Sequence, residues 1–198
     1  SHISMADLAK DDEQVRKTVG QEAIKSAIDD FGADAEEDTE WMARLEVNRR
    51  GEVKATRDNI LIILENDPNL KGAIALNAFT YRMALLKAVP WRDTVEEEEE
   101  RTDSDDAGLR HYLERVYGID HTGKTTDALN QLTLRHEFHP VRDYLNSLKW
   151  DGAPRVDRLF VEYLNADNTP YTHTVTRKSL VAAVARVFEP GIKYDYIL

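Results

Sequence analysis

The residues whose types and spacing could do chemistry begin with Gly118 to Thr125. They read G-I-D-H-T-G-K-T and satisfy the phosphate-loop pattern G-x-x-x-x-G-K-[ST] in full. At face value, Gly118 and Gly123 would let backbone amides cradle phosphates, Lys124 would reach the β/γ-phosphates and Thr125 would ligate Mg²⁺. Such a loop is launched from a buried strand, and what precedes this one is LRHYLERVY, charged on one face and apolar at helical spacing. No apolar strand ending in an acidic residue follows Thr125. The context therefore predicts an interhelical turn in which Gly118 caps one helix and Thr122 or Thr125 starts the next. His136 and His139 lie three apart in H-E-F-H. A zinc-binding pair on one helical face is four apart with Glu after the first, so packing or capping outweighs metal. Glu96 to Glu100 are five consecutive acids. Repulsion at such spacing predicts a mobile loop, with no specific metal site.

A different chemistry, phosphate contact, is open to Arg49, Arg50, Lys54 and Arg57, which cluster at or near a short glycine-containing turn. A basic turn can enter a groove or meet a nucleic-acid backbone; an exposed turn collecting solvated arginines is the plainer alternative. Arg82, Lys87 and Arg92 are further candidates. The net charge of -11 opposes such a role until its distribution is considered. Residues 1–40 hold 4 basic and 12 acidic side chains, and residues 96–106 hold 1 and 8. Residues 41–95 carry 9 basic against 6 acidic, and 138–198 carry 8 against 7. A mildly basic body between two acidic blocks is compatible with nucleic acid but falls short of a basic stripe.

The 198 residues allow one large domain or two small ones with a real core. With no cysteine there are no disulfides and no thiolate metal sites, which suits a reducing cytosol. No run reaches the ~18 apolar residues of a membrane span, and the N-terminus lacks a signal-peptide core. Ser1 to Ser4 before Met5 look like a scar of expression and are set aside.

These residues must be positioned by the elements around them. Val15, Val19, Ile24, Ile28 and Phe31 trace one face of an acidic helix from Asp7 to Phe31. It either lies solvated on the body or serves as a partner helix. An acidic linker follows, from Asp34 to Glu40. Alternation in WMARLEVN and EVKAT about RRG predicts a β-hairpin over Trp41 to Thr56. Arg57-Asp58-Asn59 offers an N-cap for ILIILEND, read as a short buried helix closed by Pro68. Alternation from Phe79 to Leu86 predicts a strand that joins the hairpin in a small three-stranded sheet; a helix over 73–87 is the alternative. Capping and acidic groups start a helix at Thr102 that ends at Gly118. A second runs from about Thr126 with Ala128, Leu129, Leu132 and Phe138 inward. Such a loose helix-turn-helix is far more often plain packing than a DNA reader.

From His139 to Phe160, HPVRDYLNSLKWDGAPRVDRLF, two helices should fold about a Trp150-Asp151-Gly152 corner, the first ending near Trp150. Thr174 or Thr176 should cap a helix burying Leu180, Val181, Val184, Ala185, Val187 and Phe188. Pro190-Gly191 stops it before a strand over Lys193 to Leu198.

This region resembles the virulence-associated protein E family of phage and mobile-element replication proteins, through HPVRDYL, LKWDGAPRVDRLF and TRKSLVAAVARVFEPGIKYDYIL. A weaker resemblance extends back to about Trp41 through RDNILIILENDPNLKG and VPW. The family-motif residues His139, Pro140, Trp150, Asp151, Gly152, Arg155, Pro190 and Gly191 are read as structural. The resemblance implies that a strand and a Walker A loop come next, opening an AAA+-type helicase module, so that the chain stops before its catalytic centre. It also implies ATP and Mg²⁺ for the full-length protein, a ring oligomer and a bacterial cytoplasm.

The expected fold is α+β and mainly α. Residues 1–40 form an acidic helix and linker, 41–137 a hairpin-bearing helical domain, and 138–198 the lead-in to the ATPase. The expected function is weak, salt-dependent DNA engagement and assembly without ATP hydrolysis, cofactor or membrane. Alternatives are a protein-interaction domain blind to DNA and a small NTPase using residues 118–125.

Overall fold

Ile60, Ile63 and Leu64 share one face of ILIILEN and are fully buried, which makes helix α2 (Arg57–Asn66) the centre of the fold. The computed structural model describes residues 5–32, 39–96 and 98–194. The chain divides into two compact units, Ser1–Phe138 and His139–Leu198.

In the first unit the described residues form α1 (Met5–Asp29), a 3-10 turn (Glu40–Arg44), α2, β1 (Ile74–Asn77), β2 (Arg82–Leu85), β3 (Glu99–Glu100), α3 (Asp103–Tyr117), α4 (Thr122–Thr133) and β4 (Glu137–Phe138). Helices dominate, with a small mixed sheet in the order β3-β2-β1-β4, so the architecture is the expected α+β, mainly α. β4 runs parallel to β1, and the other pairs are antiparallel. Helix α2 packs on α4, and α1 packs on α3. Leu109, Leu113, Ile119, Leu70 and Leu85 join α2 in one contiguous apolar core.

A buried carboxylate ties the parts together. Asp67, just past α2, accepts hydrogen bonds from the hydroxyls of Tyr112 (2.7 Å) and Tyr117 (2.6 Å), and from the Asn69 backbone N–H (2.8 Å). Burial raises its pKa, and these hydrogen bonds work the other way. Burial and the neighbouring Asp67 push both tyrosines well above the ordinary phenol range. At the start of α3, the Thr102 backbone N–H and hydroxyl each donate to Asp105 at 2.8 Å, and the Trp91 indole donates at 3.2 Å. Burial favours the neutral acid there, but Thr102, Trp91 and Arg92 outweigh it and hold the Asp105 carboxyl below the usual range. The Trp91 ring packs against α3 at Gly108, where a Cβ would fall 2.2 Å from Trp91 Cγ. Only glycine fits there.

Several local expectations are corrected. Trp41 begins no strand: Trp41 and Met42 are buried in the 3-10 turn, and the hairpin reduces to a single bridge between Val47 and Val53. Strand β2 covers 82–85 and pairs with β1, not with the hairpin. Glu99 and Glu100 are strand, opposite Leu85 and Ala84, and their ion pairs with Arg92 and Arg82 offset the repulsion. Thr56 caps α2, accepting from the Asn59 N–H. Helix α4 starts at Thr122, one of the two expected starts, with His121 rather than a threonine as its cap, and Phe138 lies in β4 rather than in a helix. On α1, Ile24 and Ile28 are buried, whereas Val15 and Val19 face solvent. The linker expected over Asp34 to Glu40 lies mostly outside the described residues.

The second unit contains α5 (Pro140–Ser147), a 3-10 turn (Val156–Arg158) running into α6 (Leu159–Leu164), and α7 (Pro170–Phe188). Helix α5 ends at Ser147, short of Trp150. Helix α7 starts earlier than expected: Thr169 accepts from the Thr172 N–H at 3.1 Å and Pro170 takes the first turn. Its Val181, Val184 and Phe188 are exposed, contrary to their apolar character. The buried position is Thr176, whose hydroxyl donates to the Thr172 carbonyl at 2.8 Å. Lys193 and Tyr194 have no regular structure, and the rest of the predicted strand lies outside the described residues.

Candidate nucleic-acid interface

The basic turn is built by two asparagines. Asn48 Oδ1 accepts from the backbone N–H groups of Arg50 (2.8 Å) and Glu52 (3.1 Å), which closes the turn over Arg49 and Arg50. The buried Asn59, in the first turn of α2, clamps the stem: its Nδ2 donates to the carbonyls of Glu46 (2.8 Å) and Lys54 (2.9 Å), and its Oδ1 accepts from the Glu46 N–H (2.9 Å). A stem of one bridge is thereby fixed to the most buried helix.

Arg49, Arg50, Lys54 and Arg57 are all exposed. Lys54 forms a 3.3 Å ion pair with Glu46, and no ion pair is formed by Arg50 or Arg57 among the described residues. The other three candidates are engaged elsewhere. Arg82 pairs with Glu100, Arg92 with Glu99 and Asp105, and Lys87 donates to the Pro68 carbonyl at 3.1 Å. Burial lowers the Lys87 pKa, with Asp67 opposing.

Gly118 to Thr125 have the geometry of a connection between helices. Gly118 is left-handed (φ 66°) and ends α3, while Gly123, Lys124 and Thr125 lie in the first turn of α4. Lys124 Nζ donates to the Ala55 carbonyl at 2.7 Å, and the buried Thr125 hydroxyl donates to the His121 carbonyl at 3.1 Å. The lysine expected to reach phosphates instead ties α4 to the chain entering α2. With a helix before the loop and both polar groups occupied, these residues do not fit ATP or Mg²⁺. His139 caps α5, its Nδ1 accepting from the Arg142 N–H at 3.2 Å, and no group of three or more potential ligands that could hold a metal occurs among the described residues.

The motif residues of the second unit have local structural tasks. Asp151 accepts from the Ala153 N–H at 3.0 Å and from both arms of Arg155 at 2.9 and 2.6 Å, which shapes the turn at Gly152 (φ 86°). Those hydrogen bonds, the Arg155 fork first, hold the Asp151 carboxyl below its ordinary value. Pro140 opens α5, Trp150 stands 80% exposed, and Pro190 and Gly191 follow the end of α7. No helix of the described residues is long and apolar enough to cross a membrane.

Sequence reasoning missed Asp67 and Asn59 as organising residues. An Asp directly before Pro68 and an Asn inside an apolar helical run are the signals that could have pointed to them.

No curated protein matches the chain. The family model described as the virulence-associated protein E-like domain matches residues 145–198, the stretch whose Asp151–Arg155 turn and proline-started helix have just been described. That match, confined to residues 145–198, supports a virulence-associated protein E family assignment.

Proposed function

We propose that this chain is a DNA-engaging and assembly module of a replication ATPase from a phage or mobile element, acting in the bacterial cytoplasm. The virulence-associated protein E-like domain supports the phage or mobile-element association. The DNA part rests on one observation: a basic turn, fixed by Asn48 and Asn59, exposes Arg49, Arg50 and Lys54 beside Arg57 at the head of α2. A cation at a helix N-terminus opposes the helix dipole, so Arg57 does not stand there for the helix's benefit. ATP and Mg²⁺ belong, in this reading, to another part of the replication protein.

The test is fluorescence anisotropy of labelled DNA titrated with the chain at ~50 and ~200 mM salt. A few phosphate contacts predict affinity falling about ten- to hundredfold across that range, indifference to ATP, and loss on reversing Arg49 and Arg50 to Glu. No binding at low salt, or binding untouched by the reversal, contradicts the reading.

A second reading, assembly without DNA, is favoured by the second unit, where Tyr163 and Tyr171 are each 78% exposed and Val181 and Phe188 are exposed as well. Concentration-dependent mass in sedimentation together with no DNA binding would select it.

A further inference from the structure

The β1–β2 hairpin closes over Ala78 to Tyr81 in a turn held by one side chain. Asn77 Oδ1 accepts from the N–H groups of Phe79 (2.9 Å) and Thr80 (3.1 Å), and its carbonyl accepts from the Tyr81 N–H at 2.8 Å. The last turn position is left-handed, with Tyr81 at φ 57°. Glycine or asparagine takes that conformation easily, whereas an aromatic L-residue is strained in it. Packing does not repay the strain, because Tyr81 is 80% exposed. Phe79, two residues earlier on the same tip, is 59% exposed. A large ring in water on a strained backbone, as at Tyr81, does nothing for the stability of the folded chain. Strain of this kind points to a use in binding.

We infer that this tip is a base-stacking site for single-stranded nucleic acid, with Tyr81 and Phe79 as the stacking rings. The inference deepens the DNA reading above and rests on it. The rings are interleaved with Asn77, Thr80 and Arg82, too little apolar surface for a protein-docking patch but suited to a base face bordered by phosphate. The pair between Arg82 and Glu100 is exposed on both sides, and such pairs are weak enough to be exchanged for a phosphate contact. Duplex DNA keeps its base faces in the stack, so the ligand this tip fits is single-stranded. Aromatic stacking is tolerant of sequence, and little base preference follows.

The test uses the whole chain and two labelled probes of equal charge at ~50 mM salt: oligothymidylate of about 20 nucleotides, and an abasic oligonucleotide of the same length. The expected result is roughly tenfold tighter binding of the oligothymidylate, from its bases alone. Tyr81→Gly should abolish that preference while raising the thermal midpoint, because it removes the ring and relieves the left-handed strain together. Phe79→Ala should weaken the preference, and Tyr81→Phe should keep it. Equal affinity for the two probes, or a preference that survives Tyr81→Gly, overturns the stacking site and leaves the basic turn untouched. Reversing Arg49 and Arg50 should weaken both probes alike without changing their ratio. If that reversal has no effect while Tyr81→Gly still abolishes the preference, the tip stands and the turn falls. No binding of either probe overturns both.

Discussion

The two units carry comparable secondary structure on very different foundations. In the first, side chains from α2, α3, α4 and the sheet close into one core, and the Asp67 and Asp105 carboxylates sit inside it with their hydrogen bonds satisfied by side-chain and backbone partners. In the second, Thr176 is the buried side chain among the described residues, while Trp150, Tyr163, Leu164, Tyr171 and Val181 face water. What holds the second unit is local: caps at His139 and Thr169, the Asp151–Arg155 fork, and the Asp157–Arg177 pair between the turn before α6 and α7. Caps and surface pairs fix helix ends but supply little of the burial that makes folding cooperative. Regular secondary structure is therefore no guide to where the stability of this chain resides.

Core truncation breaks this comparison most sharply. Leu113→Ala, at a side chain 1% exposed, should cost the first unit about 2–5 kcal/mol by denaturant melts, whereas Leu180→Ala in α7 should cost a small fraction of that. Equal losses would show that the second unit has a core of its own. Next in size is Gly108→Ala, which drives a methyl into the Trp91 ring and should destabilise by about 1–3 kcal/mol. Trp91 fluorescence should report the displacement. Asp105→Asn should cost about 1 kcal/mol at neutral pH by weakening the α3 start. Because the folded carboxyl is held below its unfolded value, its contribution is present above pH ~4 and lost as pH falls through the lowered value. Wild type and variant should therefore converge in acid; a gap that widens there refutes the assignment. Smallest is Arg155→Ala, which frees the Asp151 turn and should leave the melting of the first unit unchanged. A shift in that melt would mean that the fork does more than shape its own turn.

Where short-range physics decides, the sequence was readable. ILIILEN behind Thr56 is a helix, Thr102 with four polar capping residues starts one, and Gly118 ends it. Where long-range pairing decides, it was not. Alternation located β2 but could not name its partner, since β1, Ile74–Asn77, is too short to announce itself. Trp41 and Met42 looked like a strand because two apolar residues fit either period, and burial against the core settled on a 3-10 turn. The start of α7 was legible and misread: Thr169-Pro170 is a cap followed by a first-turn proline. Its exposed Val181 and Phe188 were not legible, because apolar spacing says which face could be buried and not whether anything covers it. At the candidate interface, the basic cluster over 49–57 could be read from residue types. That Arg82, Lys87 and Arg92 are taken up by Glu100, Pro68 and Glu99 needed the fold.

The central claim is that the first unit is stable on its own burial and the second is not. Native-state hydrogen exchange on the full chain, read peptide by peptide by mass spectrometry, tests it most directly. The prediction is slow exchange in α2, α3 and α4, set by global unfolding, and exchange orders of magnitude faster across α5, α6 and α7. Protection of α7 as deep as that of α2 would contradict it.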